Sequence, residues 1–433
     1  MRLAFLVFLV VMSALAWLVD LYVTRRWRRF AAGRPRLDWT VAPLNVLLYA
    51  MPFVMPAYAL ASRWWDGGAG RGIVVGLWAF HYLPRTLIAL WLLVVDAAKG
   101  TRWIARWTAR RVARLRADAP AASANTVAVD NAEARALAET PAEVRRVSRR
   151  DALRTAGWAV AGLPFVAVGT GLFKTVYDFE VRRVRVPVAG LPRGLAGVRI
   201  AQVSDLHAGS FFSAAPPEEA LRLLMAERAD LVVFTGDFVN HDAAELALVL
   251  PALKRLRADL GVFGILGNHD HYADVPDVLR GVGQTPVRML VNQHHTVRVD
   301  GAALRLLGTD NTGFGQHFAD LPRTLDGLPP ATDDDATRLL LTHDPTFWDD
   351  ACVPTGAALT LSGHTHGGQI GWEWAQHGVN LADLRYPRTA GLYAEPSARG
   401  TAHLYINRGL GTTGPPLRLG VHPEITLLEL VAG

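Results

Sequence analysis

Five times between residues 198 and 368, a short apolar run rich in Val, Leu and Ile ends in a polar loop carrying Asp, His or Asn. The run 198–203 leads into Ser204-Asp205-Leu206-His207, 231–234 into Thr235-Gly236-Asp237-Phe238, and 262–266 into Gly267-Asn268-His269-Asp270. The runs 338–341 and 358–361 lead into Thr342-His343-Asp344-Pro345 and Ser362-Gly363-His364-Thr365-His366-Gly367-Gly368. Short apolar runs bounded by turn residues read as buried strands, and open α/β sheets gather ligand groups at the carboxyl ends of such strands. Singly the motifs are weak, because an Asp-x-His or a Gly-Asp is usually a turn. Gly-Asn-His-Asp and Gly-His-Thr-His carry more, since Gly lets the backbone turn sharply and present polar side chains at a strand tip. Five in succession, each after a strand-like run, predict an α/β domain with a polar site along one edge.

The residues before this block obey different rules. Apolar stretches fill 3–23, 41–61, 73–98 and 156–176, each close to the roughly 20 residues that cross a bilayer. Core helices of soluble domains keep a polar stripe, whereas 3–23 has no charge before Asp20. Four transmembrane helices are the expectation. Arg85 and His81, inside the third stretch, should face other helices or a polar cavity, since an ionised group at mid-bilayer costs at least ~2.5 kcal/mol.

The net charge of +6 conceals an asymmetry. Residues 1–150 carry 22 basic and 9 acidic side chains, a balance of +13; residues 151–433 carry 23 and 30, a balance of −7. The basic excess therefore lies away from the motif-bearing part, which does not fit a nucleic-acid groove. Arginines crowd residues 25–36 and 99–154 but are sparse between 62 and 72. The positive-inside rule then puts the first and third loops in the cytoplasm and leaves everything after about residue 180 outside it. Lys99 to Arg116 reads equally as a helix on an anionic leaflet and as a solvated basic helix. Residues 117–140, rich in Ala, Ser, Asn and Thr, read as a flexible linker. Ser148-Arg149-Arg150-Asp151-Ala152-Leu153-Arg154 reads as a basic flank or as a twin-arginine-like export signal. The expected division is three spans in 1–98, a basic cytoplasmic helix and linker in 99–150, a fourth span in 151–180 and the α/β domain in 181–433. A single cysteine, Cys352, excludes an intramolecular disulfide framework and a Cys-rich zinc site.

On the five loop motifs, residues 195–430 resemble the calcineurin-like metallophosphoesterase superfamily. Gly363-His-Thr-His-Gly-Gly-Gln-Ile370, Ala390-Gly-Leu-Tyr393 and the Gly-rich tail 407–420 are similar to its membrane-associated bacterial YkuE/YaeI-type phosphodiesterase branch. The resemblance implies a four-layer α/β/β/α sandwich with the site at one edge and two divalent metal ions (Mn, Fe or Zn). Matched motif by motif, Asp205, His207 and His366 hold the first metal, Asn268, His343 and His364 the second, and Asp237 bridges them. His269 contacts the phosphate and protonates the leaving oxygen, and Asp270 orients that imidazole. Arg408 reaches a phosphate through a bidentate contact or serves as a loop arginine. The implied chemistry is in-line attack by a metal-bridging hydroxide, without a covalent enzyme intermediate.

The function expected is a membrane-anchored phosphodiester or pyrophosphate hydrolase acting on a lipid or lipid-linked phosphoester outside the cytoplasm. A UDP-2,3-diacylglucosamine pyrophosphatase of lipid A synthesis is the enzymatic alternative, but it needs a cytoplasmic site, against the arginine distribution. A non-catalytic metal-dependent membrane sensor or scaffold is the other, and it sits poorly with all eight motif positions being present. His241, His271, His294, His295 and His403 read as surface or core histidines. Asp333-Asp334-Asp335 reads as a solvated turn, and Cys352 as buried and inert.

Overall fold

The computed structural model describes residues 2–61, 68–117, 149–313, 317–374, 377–397 and 399–433. The expected linker 117–140 and the start of the Ser148-Arg149-Arg150 motif lie outside the described residues, apart from Ala117. Two compact units divide the chain: Met1–Pro52 with His81–Val166, and Phe53–Phe80 with Ala167–Gly433.

Helices Arg2–Ala31, Val41–Ala61, Gly68–Ala117 and Arg149–Phe173 answer the four apolar stretches. Two segments, Ile73–Arg114 and Asp151–Tyr177, are long and apolar enough to cross a membrane, and Val41–Val54 is a shorter apolar helix. Among the described residues the expectation of four spans is thus supported at two. Lys99–Arg116 is helical, and it continues the third apolar stretch in one helix of 50 residues. Ala, Arg, Leu and Trp continue a helix readily, and a lone Gly100 costs only about 1 kcal/mol against Ala. Within the first unit, Asp20 is fully buried and pairs with His81 Nε2 at 2.9 Å and with Arg85. His81 and Arg85 of the third stretch therefore meet a counter-charge on another helix.

The second unit is built on two six-stranded sheets. Strands β1 (Glu180–Val188), β2 (Arg199–Val203), β3 (Leu231–Thr235), β4 (Val262–Ile265) and β5 (Val287–Met289) join the last strand, β14 (Glu424–Ala432), in the order β1-β14-β2-β3-β4-β5. Strands β6 (Gln293–Val299), β7 (Ala302–Gly308), β8 (Thr337–Leu341) and β9 (Leu359–Ser362) form the second sheet. They join β12 (Gly391–Ser397) and β13 (Gly400–Ile406) in the order β12-β13-β9-β8-β7-β6. A two-stranded hairpin, β10 (Gly371–Trp374) and β11 (His377–Asn380), stands apart. Both large sheets are mixed, with β2 to β5 mutually parallel and β7, β8, β9 and β13 mutually parallel.

Period-two alternation sets the layers. In β3, Val232 and Phe234 join a core with Leu221 and Leu224 of helix Ala215–Ala226 and with Val278 and Val282 of helix Val275–Val282. Leu231 and Val233 point the other way, into a core shared with Leu306, Leu339, Leu359 and Tyr405 of the second sheet. Beyond that sheet, Leu307 and Leu340 pack on Phe347 and Ala351, while Leu404 and Ile406 pack on Trp348. The order is helices, sheet, sheet, helices. Strands covered on both faces read as continuous apolar runs, which is why all five positions of β3 are buried.

Candidate metal centre

All five motif loops leave the carboxyl ends of β2, β3, β4, β8 and β9. The two sheets meet there through Gln202, whose Nε2 donates to Ser362 O at 2.8 Å and Thr235 Oγ1 at 3.0 Å. The backbone turns back sharply at the tips of β2, β3 and β9. Asp205, His207, Asp237, His364 and His366 all take positive φ, between 42° and 70°. A non-Gly residue in that region costs on the order of 1–3 kcal/mol and persists only where its surroundings hold it. Here the hold is explicit: Asp205 N–H donates to Gly236 O at 3.0 Å, His207 N–H to Asp237 O at 3.0 Å, and His364 N–H to the Asp205 carboxylate at 3.0 Å. Gly363 is required for close approach, because a Cβ there would overlap the Ser204 side chain and the Asp205 carboxylate.

These turns gather the side chains that the motifs single out. Asp205, His207 and His366 place one donor atom each within 4.8 Å of one another, and so do Asp237, His343 and His364. In the first group His207 Nε2 lies 3.0 Å from His366 Nε2, and His366 Nε2 lies 3.3 Å from Asp205 Oδ1. In the second, His343 Nε2 lies 3.1 Å from each of Asp237 Oδ2, Asn268 Oδ1 and His364 Nδ1. Asp237 stands between the groups, with Oδ2 3.5 Å from His207 Nε2 as well.

Electrostatics of the centre fit a cation. Burial pulls His207 and His366 well below the ordinary imidazole range and lowers His364 too, so these rings are neutral with lone pairs available. His343 is the exception. Burial would lower it, but Asp237 beside it lifts it to about 10. Burial likewise would raise Asp237, yet the His343 charge holds it well below the ordinary carboxylate range. Two neutral imidazole nitrogens facing each other at 3.0 Å among carboxylates form a donor set that suits a borderline divalent cation.

The centre thus assembles the seven residues of the proposed ligand set, and His269 joins them through a third group with His207 and Asp237. Two expectations need correction. Asp270 does not orient His269: its carboxylate accepts backbone N–H bonds from Gly267 (2.9 Å), Asp237 (3.0 Å), Phe238 (2.9 Å) and Val239 (3.2 Å). Sitting at the third position of the short helix Asn268–Tyr272, it reaches back to the helix start. Burial and the neighbouring Asp237 push it up to about 7. The His269 imidazole is oriented instead by Asn240 O, 2.7 Å from Nδ1, while Nε2 lies 3.4 Å from Thr413 Oγ1. Arg408 is the second correction. Its buried side chain faces Glu424 (3.5 Å) and Glu180 (3.7 Å), because a buried carboxylate attracts it more strongly than an open loop does.

Some residues of the centre escaped the sequence reading. Arg418, fully buried, donates to Arg408 O, Gly409 O and Gly411 O and lies 3.5 Å from His366 Nδ1. Tyr386 OH lies 2.9 Å from His364 Nε2, leaving His364 Nδ1 for the donor group. His241 and Tyr272 flank the His269 ring at centroid distances of 5.6 and 4.9 Å. Only the basic Gly-rich tail signalled Arg418; nothing in the sequence signalled the others. Elsewhere, Asp334 is no solvated turn residue but is buried against Arg305 (2.7 Å) and Arg338 (2.9 Å), and Cys352 is half-buried.

Comparison with known proteins decides the family. The calcineurin-like phosphoesterase profile matches residues 198–368. The chain is 31% identical over 301 residues to the uncharacterized metallophosphoesterase YkuE of Bacillus subtilis, an overlap of 66% of this chain and 99% of that protein. The chain belongs to the calcineurin-like metallophosphoesterases. It is also similar to phosphodiesterase YaeI of Escherichia coli, at 30% identity over 58% of this chain and 88% of that one. A bovine transmembrane protein with a metallophosphoesterase domain matches at 31% over 60% and 59%. As a calcineurin-like metallophosphoesterase, the chain is a metal-dependent phosphoester hydrolase with His/Asp clusters suited to divalent cations. Its two apolar helices and its transmembrane relative suggest association with a membrane.

Proposed function

We propose that this metallophosphoesterase is a membrane-embedded phosphodiester or pyrophosphate hydrolase that holds two divalent cations and acts on a lipid or lipid-linked phosphoester outside the cytoplasm. The observation that carries the reading is the pair of donor groups linked by Asp237, which belongs to the second and lies 3.5 Å from His207 of the first, with His269 beside them. Asp205, His207 and His366 hold one cation (Mn, Fe or Zn), Asn268, His343 and His364 the other, and Asp237 serves both. Bound there, the cations supply Lewis acidity and lower the pKa of bound water. The chain's own groups do the rest. Asn240 O accepts from His269 Nδ1–H, so in the imidazolium form the second proton sits on Nε2, ready for the leaving oxygen. Tyr386 and Arg418 keep His364 and His366 turned towards their donor partners.

Four spans within residues 1–180, with the domain 181–433 outside, best reconcile the apolar stretches with the arginine distribution. A substrate at or near the membrane follows from that geography. The test is hydrolysis of bis-p-nitrophenyl phosphate by the purified full chain with Mn²⁺, followed by a lipid-extract comparison of cells with wild-type and His269→Ala protein. Metal-dependent hydrolysis and one accumulating phosphorylated lipid are expected. Inertness with every divalent metal tried would refute the enzymatic reading, and unchanged lipids the proposed substrate class.

A further inference from the structure

Within the second unit, large apolar side chains stand exposed on the hairpin β10–β11 and the turn that follows it. Trp372 is 77% exposed, Val379 76%, Leu381 53% and Leu384 87%. Trp372 and Val379 are directly opposed across the hairpin, so both project from one face. A cluster of this kind marks an interaction surface.

Both ends of the segment are tied to loops that carry residues of the metal centre. Leu381 N–H donates to Ile370 O at 3.0 Å, four residues after His366, and Tyr386 reaches His364. Gly371 N–H at the hairpin root donates to Leu419 O at 2.9 Å. The adjacent Arg418 N–H donates to Gly171 O at 3.3 Å, and a Cβ on Gly171 would overlap Leu417. Gly171 lies in Asp151–Tyr177, one of the two segments apolar and long enough to cross a membrane. The hairpin root and the end of that segment are therefore packed on the same loop.

A cavity of about 920 Å³ between the hairpin and β1 is lined by Trp372 and Val379, by Arg182 and Arg183, and by Glu180 and Asp383; Arg182 pairs with Glu180 and Arg183 with Glu227. Arg385, exposed, follows Leu384. The seven residues from Phe173 to Glu180 reach at most about 25 Å, which keeps β1 near the helix end. Trp at the headgroup layer, aliphatic side chains below it and arginines at phosphate level are how a segment lies in a bilayer interface.

We propose that Trp372, Val379, Leu381 and Leu384 insert into the outer headgroup–acyl boundary of the anionic bilayer that the helices cross, seating the metal centre on lipid phosphoesters. The inference rests on the membrane-embedded reading above. It is tested with the full chain in vesicles of phosphatidylethanolamine and phosphatidylglycerol, carrying Cys352→Ser and a single new cysteine labelled with nitrobenzoxadiazole. Val379→Cys and Leu384→Cys probe the hairpin, and Glu219→Cys on helix Ala215–Ala226 is the control. Nitroxide lipids labelled high on the acyl chain are expected to cut the fluorescence at 379 and 384 roughly twofold, as a shallow insertion requires, and to leave 219 unchanged. No quenching at either hairpin position overturns the inference, as does a disulfide joining position 379 of two copies in place of quenching. Turnover of bis-p-nitrophenyl phosphate by the same preparations separates the two ideas. Turnover without quenching sinks the insertion alone, and quenching without turnover sinks the enzymatic reading alone.

Discussion

His269 is held at Nδ1 by the Asn240 carbonyl and turns Nε2 towards Thr413, beside donors from His207 and Asp237. It can move a proton without being needed to keep the cluster together. His269→Ala is therefore expected to retain metal and lose about 10²–10⁴-fold in turnover of alkyl phosphodiesters, with a smaller loss on p-nitrophenyl esters whose leaving group needs no proton. Metal content and turnover on both ester types, measured on one preparation, check this. His343 gives a pH prediction. Its folded, metal-free pKa of about 10 lies above the ordinary 6.5, so the pair with Asp237 stabilises the metal-free fold fully below about pH 6.5. That contribution disappears as pH rises through 10. Calorimetry in chelator should show the unfolding temperature falling over that window, and metal loading at neutral pH should release a proton. The residues that gather at the centre were legible in the sequence because each sits in a strand-tip motif. Asp270 was misread because adjacency to His269 in sequence suggested a pair, whereas its place in a helical turn sends the carboxylate back to four backbone amides. Arg408 and Arg418 share one Gly-rich tail, and only tertiary packing reveals which faces the histidines.

At the scale of elements, the strands before each motif were legible because β-branched and aliphatic runs covered on both faces leave no polar alternation to confuse with a helix. The edge partnership of β1 with β14, parallel and more than two hundred residues apart in sequence, was not. No local pattern encodes a pairing of that range. The segment Asp333–Asp335 shows the same limit, since its acids suggested water while Asp334 anchors Arg305 and Arg338 beneath β7 and β8. Burial would raise the Asp334 carboxyl, but hydrogen bonds from Arg305, Ala336 and Arg338 hold it at about 2, below the ordinary 3.8. Its contribution to stability is present above about pH 3.8 and is lost as pH falls towards 2. Urea unfolding from pH 5 downward should show a loss of stability in this interval that Asp334→Asn lacks; identical slopes in the two proteins would contradict the assignment.

Within the second unit, the end of the apolar segment Asp151–Tyr177 packs on the loop that carries Arg418. Helix residue Gly171 bonds to Arg418, and Arg418 in turn lies against His366. The arginine distribution predicts that alkaline phosphatase fused after Gly433 is active and that a fluorophore maturing only in the cytoplasm is dark there; the opposite pattern would reverse the proposed orientation. The account as a whole depends on Asp237, the carboxylate that lies 3.1 Å from His343 in one donor group and 3.5 Å from His207 in the other. Elemental analysis of the purified full chain with and without Asp237→Ala tests this most directly. About two equivalents of divalent metal per chain are expected in the natural protein, with loss of metal and of phosphodiester hydrolysis in the variant. A fully metallated, active Asp237→Ala protein would contradict it.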